Sequence, residues 1–280
     1  MKILVIGSSG IVGSAFKRNQ VEGHVYWFED HNSFELTNYD QITQKLTAIS
    51  PDIVINCAAS DGINRCAQNP AEAYAINVQA VNDLAVICNQ LEICLVHFST
   101  DAVFNGQKGD FYTEDDIPDP LNTYSKTKHL GSQLVQNLSR KYYVFRLPIL
   151  FGIRENQKAG FLERMFALVE SGKRELCIAD DIYSCPSFSD DIAKRILELL
   201  ESNLEYGLYH LKNEGKASLY DFAKIFFAKL GVDVKINRAK AADFAANGKE
   251  PRALNTIMKS IKIDHLRQWE AAMDDFVRQF

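Results

Sequence analysis

Lys2 is followed by four apolar residues, Ile3-Leu4-Val5-Ile6, and then by Gly7-Ser8-Ser9-Gly10-Ile11-Val12-Gly13. A short continuous apolar run is the pattern of a strand buried on both faces of a parallel sheet. The glycines mark a turn, and the residues through Lys17-Arg18 read as a helix. His24-Val25-Tyr26-Trp27-Phe28 predicts a second strand, closing on Glu29-Asp30. Asn38 to Ile49 carries Ile42, Leu46 and Ile49 at helical spacing. Pro51 to Asn56 is a third strand, Ala71 to Gln90 a long helix carrying Asn77, and Ile93 to Phe98 a fourth strand leading into Ser99-Thr100-Asp101. Strand and helix alternate throughout, which predicts an α/β fold with a doubly wound parallel sheet.

The second half is more varied. Phe161 to Ser171 predicts a helix with Phe161, Met165, Phe166 and Val169 as its apolar stripe. Cys177 to Pro186 reads as a short strand and loop. Ser189-Asp190-Asp191 opens a helix through Ile192, Ile196 and Leu200, with acids in its first turn. Gly207 to Leu211 is one more strand. Ser218 caps a helix ended by Gly231, and Ile261 to Phe280 reads as helical around Leu266, Trp269 and Phe276. The expected division is a Rossmann-type domain of residues 1–150 and 187–212, with a smaller substrate lobe of 151–186 and 213–280. The active site should lie in the crevice between them.

Composition narrows the classes. The 280 residues are 46% hydrophobic, ample for a sizeable core, and carry a net charge of -5. Lys and Arg are scattered, so nucleic acid is not expected as a partner. No apolar run has the length of a membrane span, and the apolar start is too short for a signal peptide. The six cysteines (57, 66, 88, 94, 177, 185) show no Cys-x-x-Cys pair, and the six histidines no His-x-x-x-His pair. Free thiols, no metal site and a reducing cytoplasm are the expectation.

Two stretches carry chemistry. Gly7-x-x-Gly10-x-x-Gly13 lies between a strand and a helix. There glycines let backbone approach a pyrophosphate, and the helix N-terminus, with Ser9, Ile11 and Val12 around it, offers free N–H groups. Glu29 and Asp30 stand where an acid would bind the adenosine ribose hydroxyls, and their charge would repel a 2′-phosphate, which leans toward NAD. The second stretch is Tyr124-Ser125-Lys126-Thr127-Lys128. Residues four apart share a helix face, so Tyr124 and Lys128 are neighbours while Lys126 points elsewhere. A nearby ammonium should lower the phenol's pKa toward the working range. Thr100, at a strand's carboxyl end, should bind the same reacting oxygen.

These residues bring the chain close to a known group. It resembles the extended short-chain dehydrogenase/reductase superfamily, and within it the dTDP-4-dehydrorhamnose reductase family. The resemblance rests on Gly7-x-x-Gly10-x-x-Gly13, Asn56-Cys57-Ala58-Ala59, Ser99-Thr100-Asp101-Ala102-Val103-Phe104, Tyr124-x-x-x-Lys128, Phe145 to Gly152 and Pro251-Arg252-Ala253-Leu254-Asn255. It implies NADPH or NADH as cofactor, with Ala58 and Ala59 beside the adenosine, Asn77 in the cofactor set, and Thr100, Tyr124 and Lys128 as the catalytic trio. It also implies a nucleotide-activated sugar as substrate and leaves a homodimer open. Two departures stand out. Ala102 replaces a Tyr of the family, and Ile149 stands where the rhamnose enzyme carries a Trp. Both aromatics line the sugar pocket, so a sugar other than rhamnose is expected.

The expected reaction is NAD(P)H-dependent reduction of a 4-keto sugar nucleotide. Arg252, in the polar loop Lys249-Glu250-Pro251-Arg252, suits a diphosphate, although a solvated loop reads equally well. Two alternatives stay open. One is an epimerase or dehydratase of the same superfamily. The other is a non-catalytic NAD(P)-binding subunit, because Arg146-Leu147-Pro148-Ile149-Leu150 also resembles the regulatory β subunit of methionine adenosyltransferase.

Overall fold

A computed structural model describes residues 1–156, 159–202, 204–244 and 250–280. Lys249 of the polar loop lies outside the described residues. In chain order the main elements are β1 (Lys2–Ile6), α1 (Ile11–Arg18), β2 (Val25–Glu29), α2 (Tyr39–Ile49), β3 (Ile53–Asn56), α3 (Ala80–Gln90), β4 (Cys94–Thr100), α4 (Thr123–Leu138), β5 (Tyr142–Leu147), α5 (Phe161–Glu170), α6 (Ser189–Glu201), β6 (Gly207–His210), α7 (Leu219–Leu230) and α8 (Trp269–Gln279).

The six strands form one parallel sheet in the order β2-β1-β3-β4-β5-β6. The chain turns outward in both directions from β1, so the switch point lies between β1 and β3, where open α/β sheets hold ligands. Strand alternation supplies two cores. Ile3 and Val5 face the layer of α1 and α6, with Phe16, Ile192 and Ile196. Leu4 and Ile6 face α2, α3 and α4, with Leu46, Leu84 and Val135. α6 thus returns to the first sheet, although it follows the lobe segment that holds α5.

A third core joins residues of 151–188 to residues of 217–276 around Phe151, Phe188, Phe222, Phe226, Trp269 and Phe276. It is held by aromatic contacts such as Phe222 against Trp269. A parallel pair, Glu175–Ala179 with Lys235–Ala239, flanks it. Within α5, Leu162 and Val169 are the buried residues, while Phe161, Met165 and Phe166 of the expected stripe are partly buried.

Two local expectations change. The helix read from Ala71 to Gln90 is interrupted by a π-helical turn, Ala75–Gln79. The wide turn brings the Asn77 carbonyl against α4, so close that a Cβ on Gly131 would stand 2.2 Å from it. The C-terminal helix begins only at Trp269, because Leu266–Gln268 pairs as a strand with Asn213–Glu214. Cys177 is exposed, whereas Cys66, Cys88, Cys94 and Cys185 are buried thiols and Cys57 is half-buried. Among the described residues no helix is long and apolar enough to cross a membrane.

Candidate active site

The glycine turn is shaped from within. Gly7 has φ +76°, and a Cβ there would stand 2.6 Å from the Ala58 backbone nitrogen. A Cβ on Gly13 would stand 2.3 Å from the Gly7 carbonyl oxygen. Both positions are closed to any side chain by the protein itself. Gly10 is different: its Cβ would meet only the Gly7 carbonyl, at 3.4 Å. Gly10 caps α1 without a side-chain hydrogen bond. The N–H groups of the first turn of α1 have no partner within the helix and face the cleft. That is a cradle for a diphosphate.

A cleft of about 1590 Å³ runs along the carboxyl ends of the strands. It is lined by Gly7, Ser9, Gly10, Ile11 and Val12, by Asp30, Ala58 and Ala59, by Thr100, Ala102, Tyr124 and Lys128, and by Ile149 and Arg252. The sites expected for cofactor, catalysis and substrate therefore share one cavity. A smaller hollow of about 510 Å³ at the strands' amino ends, beside Pro51, Cys94 and Tyr206, is lined by none of them.

Three expected residues do not line the cleft. Gly13 serves the turn. Glu29 is buried and pairs with Lys45 of α2 at 2.6 Å. This corrects its placement at the ribose: Glu29 falls on the same face of β2 as Trp27, toward α2, and only its backbone carbonyl meets the glycine turn, accepting from Gly7 and Ser8. Asn77 is corrected too. Its amide is spent inside the protein, accepting from the Ser60 N–H at 2.9 Å and donating to the Ser60 carbonyl at 2.9 Å and the Thr127 hydroxyl at 3.0 Å. It fastens the Ala58–Ser60 loop to α4 and touches the cleft only through them. Asp30 remains in the cleft. The Asn32 backbone N–H, 2.9 Å from its carboxylate, holds its pKa below the ordinary value.

α4 starts with a reciprocal cap between Asn122 and Ser125. One turn further on, Lys128 is 4% exposed, and its side chain makes no hydrogen bond or ion pair with any described residue. Burial pulls its pKa from 10.5 down to about 8. Tyr124 is half-buried on the same helix face. Burial pushes its phenol up, and the Thr100 hydroxyl beside it pulls the other way. The expected lowering by Lys128 is therefore not what governs this phenol; desolvation wins, and Tyr124 stays protonated at neutral pH. Lys126 is exposed, on another face.

Sequence reasoning passed over Asp101 and Glu250, which help build the site. Asp101 is buried and accepts from Thr100 at 3.2 Å, Ser184 at 2.7 Å and Thr256 at 2.6 Å. Burial raises its pKa while the three hydroxyls oppose the rise. Glu250 accepts from the Thr123 backbone N–H at 2.8 Å and its hydroxyl at 2.6 Å, and Asn122 donates to the Pro251 carbonyl. These bonds seat the loop that carries Arg252 on the start of α4. Tyr183 enters the cleft from the lobe. The only sequence signal for Asp101 was its place inside the Ser-Thr-Asp run; for Glu250 it was an acid in a polar loop.

Known proteins resemble the chain along nearly its whole length. The dTDP-4-dehydrorhamnose reductase of Aggregatibacter actinomycetemcomitans is 30% identical over 263 residues, covering 89% of this chain and 88% of that protein. A probable low-salt glycan biosynthesis reductase of Haloferax volcanii is 28% identical over 266 residues, covering 90% and 88%. The crystal structure of Bacillus anthracis dTDP-4-dehydrorhamnose reductase in complex with NADP superposes with a TM-score of 0.93 at 26% identity, covering 100% of this chain and 99% of that one. With the family described as the RmlD substrate binding domain matching residues 1–280, the chain belongs to that family.

Proposed function

We propose that this protein is an NAD(P)H-dependent reductase that converts the keto group of a 4-keto, nucleotide-activated sugar to a hydroxyl, as a step in glycan or polysaccharide synthesis. The observation that carries this reading is the placing of Tyr124, Lys128 and Thr100 on one wall of the cleft whose other end is the glycine turn. Residues 1–150 and 187–212 serve the cofactor, and 151–186 and 213–280 the sugar nucleotide.

When bound, the reduced nicotinamide supplies the hydride. The chain supplies the rest. Tyr124, kept protonated by burial, gives its proton to the carbonyl oxygen as the carbon takes the hydride. Lys128 presents an ammonium without a hydrogen-bonding partner among the described residues to the cofactor's ribose hydroxyls, and its charge favours the phenolate left behind. Thr100 holds the reacting oxygen against Tyr124. Ala102 and Ile149 leave more room than the family's aromatics, and Tyr183 closes part of it from the lobe. The sugar is accordingly one other than 4-dehydrorhamnose.

The test is to mix the protein with NADH or NADPH and a panel of dTDP-, UDP- and GDP-linked 4-keto sugars and to follow the loss of reduced-cofactor absorbance. Consumption matched by a new sugar hydroxyl supports the reading. Tight cofactor binding with no turnover of any sugar overturns it in favour of a regulatory subunit. Cofactor retained unchanged through turnover overturns it in favour of an epimerase.

A further inference from the structure

The lobe sends a short strap, Ile153 to Asn156, across the outside of the glycine turn. Four contacts fasten it there. The Asn156 N–H donates to the Ser9 carbonyl at 2.9 Å, and the Glu155 N–H to the Ser14 hydroxyl at 3.0 Å. Arg18 donates to the Ile153 carbonyl at 2.9 Å, and Lys17 pairs with Glu155 at 2.9 Å. So many bonds to α1 and its turn fix where Arg154 stands.

Arg154 lines the same cleft as Ser9, Gly10 and Ile11. Its Nε is shut off from solvent and has no hydrogen-bond partner among the described residues, and the Oδ1 of Asn156 is in the same state. Its guanidinium forms no ion pair with a described residue. Glu155 is taken by Lys17 and Asp190 by Arg18. Glu163, whose carboxylate flanks Gly160 together with the Arg154 fork, makes no ion pair with it. A buried donor without a partner is costly, which makes an arriving acceptor favourable. A guanidinium fork matches a phosphate group with two parallel hydrogen bonds. The uncapped start of α1 offers backbone N–H groups but only partial charge, so a diphosphate there lacks a full countercharge from the glycine turn alone.

We infer that Arg154 is a binding residue for a diphosphate held at the glycine turn, that of the dinucleotide cofactor, and that the strap lets the substrate lobe grip the cofactor directly. This rests on the proposed reductase reading, and the experiment separates the two. Calorimetry is run with NADH, NADPH, dTDP, UDP and GDP on the parent, Arg154→Gln and Arg154→Lys, at low and moderate salt. Arg154→Gln should bind NADH and NADPH about tenfold more weakly and by the same factor, with a flatter salt dependence. Arg154→Lys should recover part of the loss, and dTDP, UDP and GDP should bind as in the parent. The thermal midpoint should fall little, because no side-chain hydrogen bond or ion pair with a described residue is removed. Unchanged dinucleotide affinity overturns the inference. So does a loss confined to the nucleoside diphosphates, which would give the guanidinium to the substrate, or a loss confined to NADPH, which would give it to the 2′-phosphate. A parent that binds neither dinucleotide overturns the reductase reading itself.

Discussion

Replacing Lys128 with Met should make the protein more stable and less useful. The ammonium is 4% exposed and has no hydrogen-bonding partner among the described residues, so folding buries its charge with only a partial offset from the Asp61 carboxylate. The cost can be sized from the drop in its pKa, from 10.5 to about 8. At about 1.4 kcal/mol per unit, that is about 3 kcal/mol. Methionine has nearly the same length and no charge, so it removes the cost while keeping most of the packing.

The sign with pH follows from which state holds the proton. Below about 8 the lysine is charged in both folded and unfolded chains, and the parent carries the full cost. Between about 8 and 10.5 the unfolded chain keeps a proton that the folded chain has released, so the parent gains stability as pH rises. Lys128→Met should therefore be more stable than the parent by about 3 kcal/mol at pH 7, on the order of 6 °C in midpoint. That lead should shrink as pH climbs past about 8. Urea unfolding of both proteins at neutral and alkaline pH measures it. A variant less stable than the parent at pH 7, or a lead that grows with pH, would refute the net cost of burying this charge. A residue retained at such a cost points to work done on a ligand.

Three other outcomes follow from the same geometry. Gly10→Val should leave the thermal midpoint nearly unchanged and abolish dinucleotide binding, whereas Gly13→Val should unfold or fail to express, because only the second side chain collides with protein; equal damage to folding from both would be wrong for this turn. Tyr124→Phe should keep fold and cofactor affinity and lose about a hundredfold in turnover, with Lys126→Met nearly silent as the exposed control; comparable losses at Lys126 and Lys128 in turnover assays would misplace the helix face. Asp30, the one acid of its pair that lines the cleft, should let NADH bind, so Asp30→Asn should move preference toward NADPH; a parent that binds NADPH more than about a hundredfold tighter than NADH in calorimetry (about 2.7 kcal/mol) contradicts that placement.

What could be read from the chain alone was local. A strand, a glycine turn and a helix follow one another without a break from Lys2 to Arg18, and each signals itself within a few residues. Tyr124 and Lys128 needed only the helical period. Glu29 and Asp30 show where this stops. Adjacent strand residues point to opposite faces, but which face meets the cleft depends on where α2 packs, and the ion pair with Lys45 settles that from sixteen residues away. Asn77 fails for a different reason. Its place in the cofactor set came with the resemblance, and no local pattern shows that its amide reaches Ser60 and Thr127, 17 and 50 residues away.

The least legible feature was the corner where the lobes are stitched together. A cleft between two lobes is ordinarily free to open unless bonds cross it. Here the crossing bonds converge on the elements that carry Thr100 and Tyr124. Asp101 follows Thr100 directly and accepts hydroxyls from Ser184 and Thr256, and Glu250 binds the first residue of the helix that carries Tyr124. Ser184 in turn takes the Ile149 N–H at 3.4 Å, so this part of the cleft wall hangs on the same carboxylate. None of these partners is near Asp101 or Thr123 in sequence, and each alone is an ordinary polar residue of a loop. Their meeting holds the phenol, the reacting-oxygen site and Arg252 in one fixed frame. Proton transfer depends on such a frame, since a donor misplaced by about an ångström forfeits much of its rate advantage. On the proposed reading, the lobe that takes the sugar is therefore also part of the scaffold that aims the proton.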